Sequence, residues 1–220
     1  MSDYFNKLPD IDYVSRLKGS KINDYIKVKN LFRRGYIRED IFQDIMFFTK
    51  YKIKGDDRPD NVSQKVYETP YLDWLVLLSN NIINIQNEWP LSADDFDEYL
   101  IEKYGSYETI HSGIHHYESI KITNKEGIVL LPAGLQIDQD FNFTYLDSDG
   151  ITYNKRPAQA VTNYQYESSL EDEKRNIFLL RPSYVTTIED DIENIMSYGK
   201  GSTQYVSKTL KRADNIKLFS

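Results

Sequence analysis

The chain has 220 residues, no cysteine, and 34 acidic against 27 basic side chains, a net charge of -7. The missing thiols exclude disulfide scaffolds, thiol catalysis and thiolate zinc sites, and the acidic balance argues against general binding of phosphate backbones. Apolar residues at 40% and charged residues at 28% are a globular composition, while the longest clean apolar run, 74–78, is far short of the ~20 residues that cross a membrane.

Met1-Ser2-Asp3-Tyr4 lacks a basic segment followed by an apolar one, so no signal peptide is expected. Aromatics are the unusual feature: 18 tyrosines, 10 phenylalanines and 2 tryptophans. Tyrosine suits surfaces that are apolar but half wet, and it is enriched at interfaces. With no catalytic set in view, that leans toward an interaction protein; a tyrosine-rich core is the alternative.

Residues 1–20 mix aromatics with Pro9, Gly19 and Ser20, show no sustained period and read as an extended arm. Residues 22–48 are ambiguous, although Ile41, Ile45 and Phe48 keep helical spacing. A strand is predicted over 48–54, where Tyr51 and Ile53 alternate with Lys50, Lys52 and Lys54. Gly55-Asp56-Asp57-Arg58 is a turn, and Pro59 suits the first turn of a helix carrying Val62 and Val66. Pro70 breaks the chain. A helix over 71–79 is apolar on nearly every side, which predicts burial on more than one side, and Asn80-Asn81 ends it.

The best-marked helix spans 92–104. Ser92 can cap it, Asp94 and Asp95 suit its positive end, Lys103 lies in the last turn and Gly105 can close it. Short strands follow at 117–122, 128–131, 141–146 and 151–153, separated by turn signals. Thr162 can cap a charged helix running to about residue 180, where Pro182 stops it. A second helix over 183–198 places Ile188, Ile192, Ile195 and Met196 on one face. Residues 200–220 read as an extended tail.

Groups with recognisable chemistry are few. His111 and His115 have the spacing of a helical metal pair with Glu118 nearby, but Gly113 intervenes and no third ligand is evident. Surface or strand histidines are the simpler reading. Gly199-Lys200-Gly201-Ser202-Thr203 lacks the spacing of a phosphate loop and follows a helix, so it reads as a helix C-cap. The pairs Asp56-Asp57, Asp94-Asp95 and Asp190-Asp191 hold neighbours that point apart, which is unsuited to acid/base work. Asp147-Ser148-Asp149-Gly150 lacks the distal glutamate of a calcium loop. No catalytic residue, cofactor site or metal site is expected.

The segment Tyr51-Lys52-Ile53-Lys54-Gly55-Asp56-Asp57-Arg58-Pro59 through Tyr67 resembles the opening of a LysM module: a strand, a Gly-Asp turn and a short helix ending near a tyrosine. Leu77-Leu78-Ser79-Asn80-Asn81 is similar to the end of that module's second helix, and Ile128 to Ile137 is similar to its closing strand. A longer ordered set includes Asn30-Leu31-Phe32-Arg33-Arg34, Leu72-Asp73-Trp74, Glu88-Trp89-Pro90-Leu91-Ser92, Ile114-His115-His116-Tyr117-Glu118 and Val161-Thr162-Asn163-Tyr164. Together these resemble the baseplate wedge subunit 53 family of T-even-type contractile-tailed bacteriophages, over about residues 4–198.

The resemblance implies an α+β fold built on a LysM-like βααβ module with a helical and strand insertion. Expected segments are an arm and linker (1–47), the module (48–137, insertion at about 84–127), short β strands (138–161), C-terminal helices (162–199) and an extended basic tail (200–220). It also implies a non-enzymatic virion protein, assembled in the host cytoplasm and present in six copies. Its partners would be wedge subunits resembling 6, 7 and 25 and central hub or tail-tube proteins, with no nucleic acid and no membrane. The alternative is a LysM-type module for peptidoglycan or a chitin-like glycan, but Asp56, Asp57 and Arg58 match a neutral glycan poorly.

Candidate interaction residues are Arg58 in the turn and Lys208, Lys211, Arg212, Lys217 and Phe219 in the tail. Arg58 is expected to pair with local carboxylates, fixing the turn or facing a neighbour; a solvated turn is the alternative. From Lys200 to Ser220 five basic residues stand against Asp214 alone, a local +4, with apolar side chains scattered between them. Such a segment is expected to order on an acidic patch of a neighbouring subunit or another copy, or else to fold back on this protein's own acidic surface.

Overall fold

The computed structural model describes residues 4–21, 23–201 and 204–213. Its elements begin with α1 (Tyr4–Lys7), β1 (Asp10–Val14), β2 (Tyr25–Lys29), α2 (Glu39–Phe42), β3 (Phe48–Lys52), α3 (Pro59–Tyr67), α4 (Asp73–Ser79) and α5 (Ile85–Glu88). Next come α6 (Ala93–Tyr104), α7 (Tyr107–Ser112), β4 (Ile114–Ser119), β5 (Ile122–Thr123), β6 (Val129–Leu131), β7 (Gln136–Ile137), β8 (Phe143–Leu146), β9 (Thr152–Lys155), β10 (Ala158–Thr162) and α8 (Asn163–Lys174). The remaining elements are β11 (Asn176–Leu180), α9 (Val185–Met196), β12 (Tyr205–Ser207) and β13 (Leu210–Arg212). The fold is mixed α+β with small sheets, in two units: Met1–Trp89 with Asn176–Ser220, and Pro90–Arg175.

In the first unit the predicted lysine-alternating strand is β3, which pairs antiparallel with β11 from Phe48↔Leu180 to Lys52↔Asn176. Pro59 starts α3 after an extended Arg58 (φ -82°, ψ 163°), where its missing N–H costs nothing. The all-apolar α4 serves two cores at once. Trp74 and Leu75 join Leu180, Ile188, Ile192 and Met196 on one side, while Val76 joins Ile53, Val62, Trp89, Ile177 and Leu179 on the other. Each large side chain buried this way contributes ~1.5–3 kcal/mol.

Polar groups fix the register of this frame. The Tyr67 hydroxyl donates to the Leu180 carbonyl at 2.8 Å, and Trp89 Nε1 donates to the Asp57 carbonyl at 3.0 Å. The Asn80 side chain acts as a substitute strand residue: its amide donates to Phe178 O at 2.8 Å and its oxygen accepts from Phe178 N–H at 2.7 Å.

Several expectations are corrected here. The first twenty residues are not a plain arm: β1 pairs antiparallel with β2 and parallel with β13, in a sheet of order β12-β13-β1-β2. The helix expected up to about residue 180 stops at Lys174, because β11 (Asn176–Leu180) follows and pairs with β3, burying Ile177, Leu179 and Leu180. The strand closing on β3 is therefore β11 and not 128–137, where β6 pairs with β5 and β7 with β4. Over 204–213 the tail is a hairpin of β12 and β13 laid against β1; Lys217 and Phe219 lie outside the described residues.

The second unit opens with α6, capped as expected. Ser92 Oγ accepts from Asp95 N–H at 3.1 Å, and Gly105 closes the helix at φ +81°, a region that favours glycine. Thr162 caps α8 in a reciprocal pair with Gln165. A sheet of order β10-β4-β7 and the hairpins β5-β6 and β8-β9 complete the unit. The buried residues of α8 are polar and recur every fourth position: Asn163, Glu167 and Glu171. Glu167 accepts from Lys103 Nζ and the Tyr104 hydroxyl, both at 2.7 Å, and from the Tyr99 hydroxyl at 3.2 Å. Burial works to raise its pKa, but these bonds outweigh it and hold the carboxyl below the usual range. Glu171 accepts from Leu91 N–H at 2.9 Å and pairs with Lys174.

Candidate interaction surface

The turn expected to carry a contact residue is built as a charged corner. Gly55 takes φ +55°, and Asp57, whose side chain is nearly covered, accepts from Lys65 Nζ at 2.7 Å. That hydrogen bond holds the lysine's pKa above its ordinary value. Arg58 reaches Asp60 at 3.5 Å with its side chain 79% exposed. An exposed pair of this kind contributes ~0–1 kcal/mol, so Arg58 is held locally but remains open to a neighbour.

Lys208, Lys211 and Arg212 lie far along the chain from Arg58, at the hairpin. Lys211 Nζ sits 5.0 Å over the Tyr198 ring, and Arg212 sits 5.2 Å over Tyr25 with Nε 3.9 Å from Asp12. The Lys208 carbonyl accepts from Tyr198 N–H at 2.7 Å while its side chain is exposed. Thus Arg212 ties the hairpin to its own sheet, Lys211 ties it to Tyr198 beyond the end of α9, and Lys208 is exposed.

A run of exposed large apolar groups lies elsewhere, between Leu31 and Met46. Leu31, Tyr36, Phe42, Ile45 and Met46 are exposed, and Phe32 is 99% exposed. Phe42, Ile45, Phe48 and Phe178 line a cleft of about 280 Å³. For Ile45 the sequence points the other way, because Ile41, Ile45 and Phe48 share a helical spacing. Only Ile41 and Phe48 are buried, since the helix ends at Phe42 and a 3-10 turn (Ile45–Phe47) turns Ile45 out.

The histidines do not converge on a metal geometry. His111 ends α7, whereas His115 and His116 stand on β4. His115 stacks on Tyr166 at 3.8 Å, and His116 Nε2 lies 2.9 Å from Glu118 Oε1. Among the described residues no group of three His, Cys, Asp or Glu could hold a metal ion, and no helix is long and apolar enough to cross a membrane.

A surface of exposed aromatics and aliphatics on a frame with two buried cores is suited to docking against other proteins. No curated protein matches the chain. The family described as base plate wedge protein 53, of bacteriophages, matches residues 4–124, more than half of the chain, and the chain belongs to that family.

Proposed function

We propose that this chain is a structural adaptor of the phage tail baseplate, joining wedge subunits to one another and to the central hub, without catalytic activity. The family match over residues 4–124 carries the reading. The exposed apolar side chains between Leu31 and Met46 support it, because a protein that clamps neighbours needs such a surface before assembly. In this reading β3, α3, α4 and β11 are a LysM-like βααβ module, with Pro90–Arg175 inserted ahead of the closing strand. Partners resembling wedge subunits 6, 7 and 25, six copies per baseplate and assembly in the host cytoplasm rest on the family resemblance. Arg58 and Lys208 are the turn and tail residues best placed to meet a neighbour.

The test is genetic and biochemical. Phage lacking this chain are expected to yield unjoined wedges and no infectious particles, and the purified chain is expected to stay in the supernatant with insoluble peptidoglycan or chitin. Complete baseplates without the chain, or retention on the glycan, would overturn the adaptor reading.

A further inference from the structure

Phe32 is 99% exposed and Leu31 69% exposed, side by side in the loop that follows β2. A fully exposed phenylalanine in a loose loop would say little. This loop, however, is fastened on every side of the pair. Asn30 is buried: its backbone N–H donates to Pro9 O at 2.8 Å and its side-chain amide to the Tyr198 hydroxyl at 2.9 Å. Its side-chain oxygen accepts from Phe32 N–H at 3.1 Å. Arg33 turns back to donate to the Ile195 carbonyl at 2.9 Å, with its guanidinium 5.1 Å over the Tyr198 ring. Arg34 donates to Asn81 Oδ1 at 3.0 Å, and Gly35 N–H donates to the Tyr4 hydroxyl at 2.9 Å. The two polar neighbours that could have screened the pair are used to hold the loop. Leu31 and Phe32 are left projecting from a backbone that has already lost its freedom, which removes an ordering cost from binding.

The electrostatic setting names the partner's chemistry. The sequence segments 10–34 and 200–213, which contain the four strands of the sheet beside this loop, hold eleven basic and three acidic side chains, a net +8 in a chain of net -7. An apolar anchor in a positive field is complementary to an apolar pocket with an acidic rim. A nucleic acid is disfavoured, because several of these cations are already engaged: Lys29 by Asp10 at 3.0 Å, Arg212 by Asp12, and Arg33 and Arg34 by the chain itself.

We propose that Leu31 and Phe32 are a preorganised anchor that inserts into an acid-rimmed apolar pocket of a different baseplate protein. The inference rests on the baseplate reading. It is tested in the intact particle by placing a photoreactive aromatic at the anchor, Phe32→p-benzoylphenylalanine, irradiating, and identifying crosslinked peptides by mass spectrometry. The expected crosslink joins residue 32 to an apolar stretch flanked by Asp or Glu in another virion protein. In parallel, Phe32→Ala is expected to lower infectious-particle yield at least tenfold while leaving the melting midpoint of the purified chain unchanged. A crosslink to this chain, to a second copy or to DNA overturns the proposal. So does no crosslink in particles that contain the chain, or a wild-type yield from Phe32→Ala. Absence of the chain from the particles would instead sink the baseplate reading on which the inference stands.

Discussion

Trp74 is 6% exposed between Leu180 and the α9 core, and its indole N–H has no hydrogen-bond partner among the described residues. Its contribution is therefore packing. Trp74→Ala is expected to cost ~3–5 kcal/mol, and Trp74→Phe much less, because no hydrogen bond is lost. Denaturant melts of the two variants check this, and equal losses would show that the ring's shape is not what matters. Gly113 is constrained for a different reason. A Cβ there would lie 2.4 Å from Thr109 O and 2.5 Å from Asn163 Nδ2, the two atoms joined by the Asn163 hydrogen bond that ties α8 to α7. Gly113→Ala must displace that bond and is expected to destabilise the chain by ~1–3 kcal/mol, measured in the same melts.

At the scale of elements, legibility followed the locality of the signal. The helix α6 was readable because cap, first-turn acids and closing glycine all sit within its own sequence. The strand-turn-helix from Phe48 to Tyr67 was readable for the same reason. The sheet of β1, β2, β12 and β13 was not, because Asp10 pairs with Leu210 and no local period announces a partner that distant. The strand β11 was hidden behind a charged helix that reads as continuing. The buried side of α8 was invisible to hydropathy, since Asn163, Glu167 and Glu171 are polar; only their four-residue recurrence from a capped Thr162 marks it. The exposed turn around Arg58 was legible from its Gly-Asp-Asp-Arg-Pro run, but the exposed apolar loop around Phe32 carried no pattern distinguishing it from core.

The same α8 face sets a pH dependence. The folded pKa of Glu167 lies below its unfolded value, so its contribution is fully present above the ordinary glutamate range near pH ~4.3 and is lost as pH falls through the folded pKa. Burial first, then the Glu167 hydrogen bond, pushes the Tyr104 hydroxyl up to about 12, so that group stays protonated through this window. Glu167→Gln is expected to lower stability at pH 7 and to flatten the decline below pH ~4. An unchanged acid limb in urea melts would contradict the network.

Across the whole molecule, charge and chain ends have opposite roles. The chain is acidic, yet the sheet that gathers β1, β2 and the terminal hairpin is basic. Over the described residues that hairpin is a structural part of the first unit, through β13 against β1 and Ala213 N–H donating to Asp12 O at 2.9 Å. Deleting residues 201–220 is therefore expected to lower the melting midpoint of the isolated chain, because it strips one edge of β1. An unchanged melt would mean that the hairpin matters only to partners.

The central claim, that the chain is an adaptor of the wedge, is tested most directly by an electron cryomicroscopy map of the baseplate in the intact particle. The account predicts six copies, each with density touching at least two other baseplate chains, and with the Leu31–Phe32 loop inside one of those contacts. A complete baseplate in which the chain is absent, or attached through a single neighbour with that loop in solvent, would contradict it.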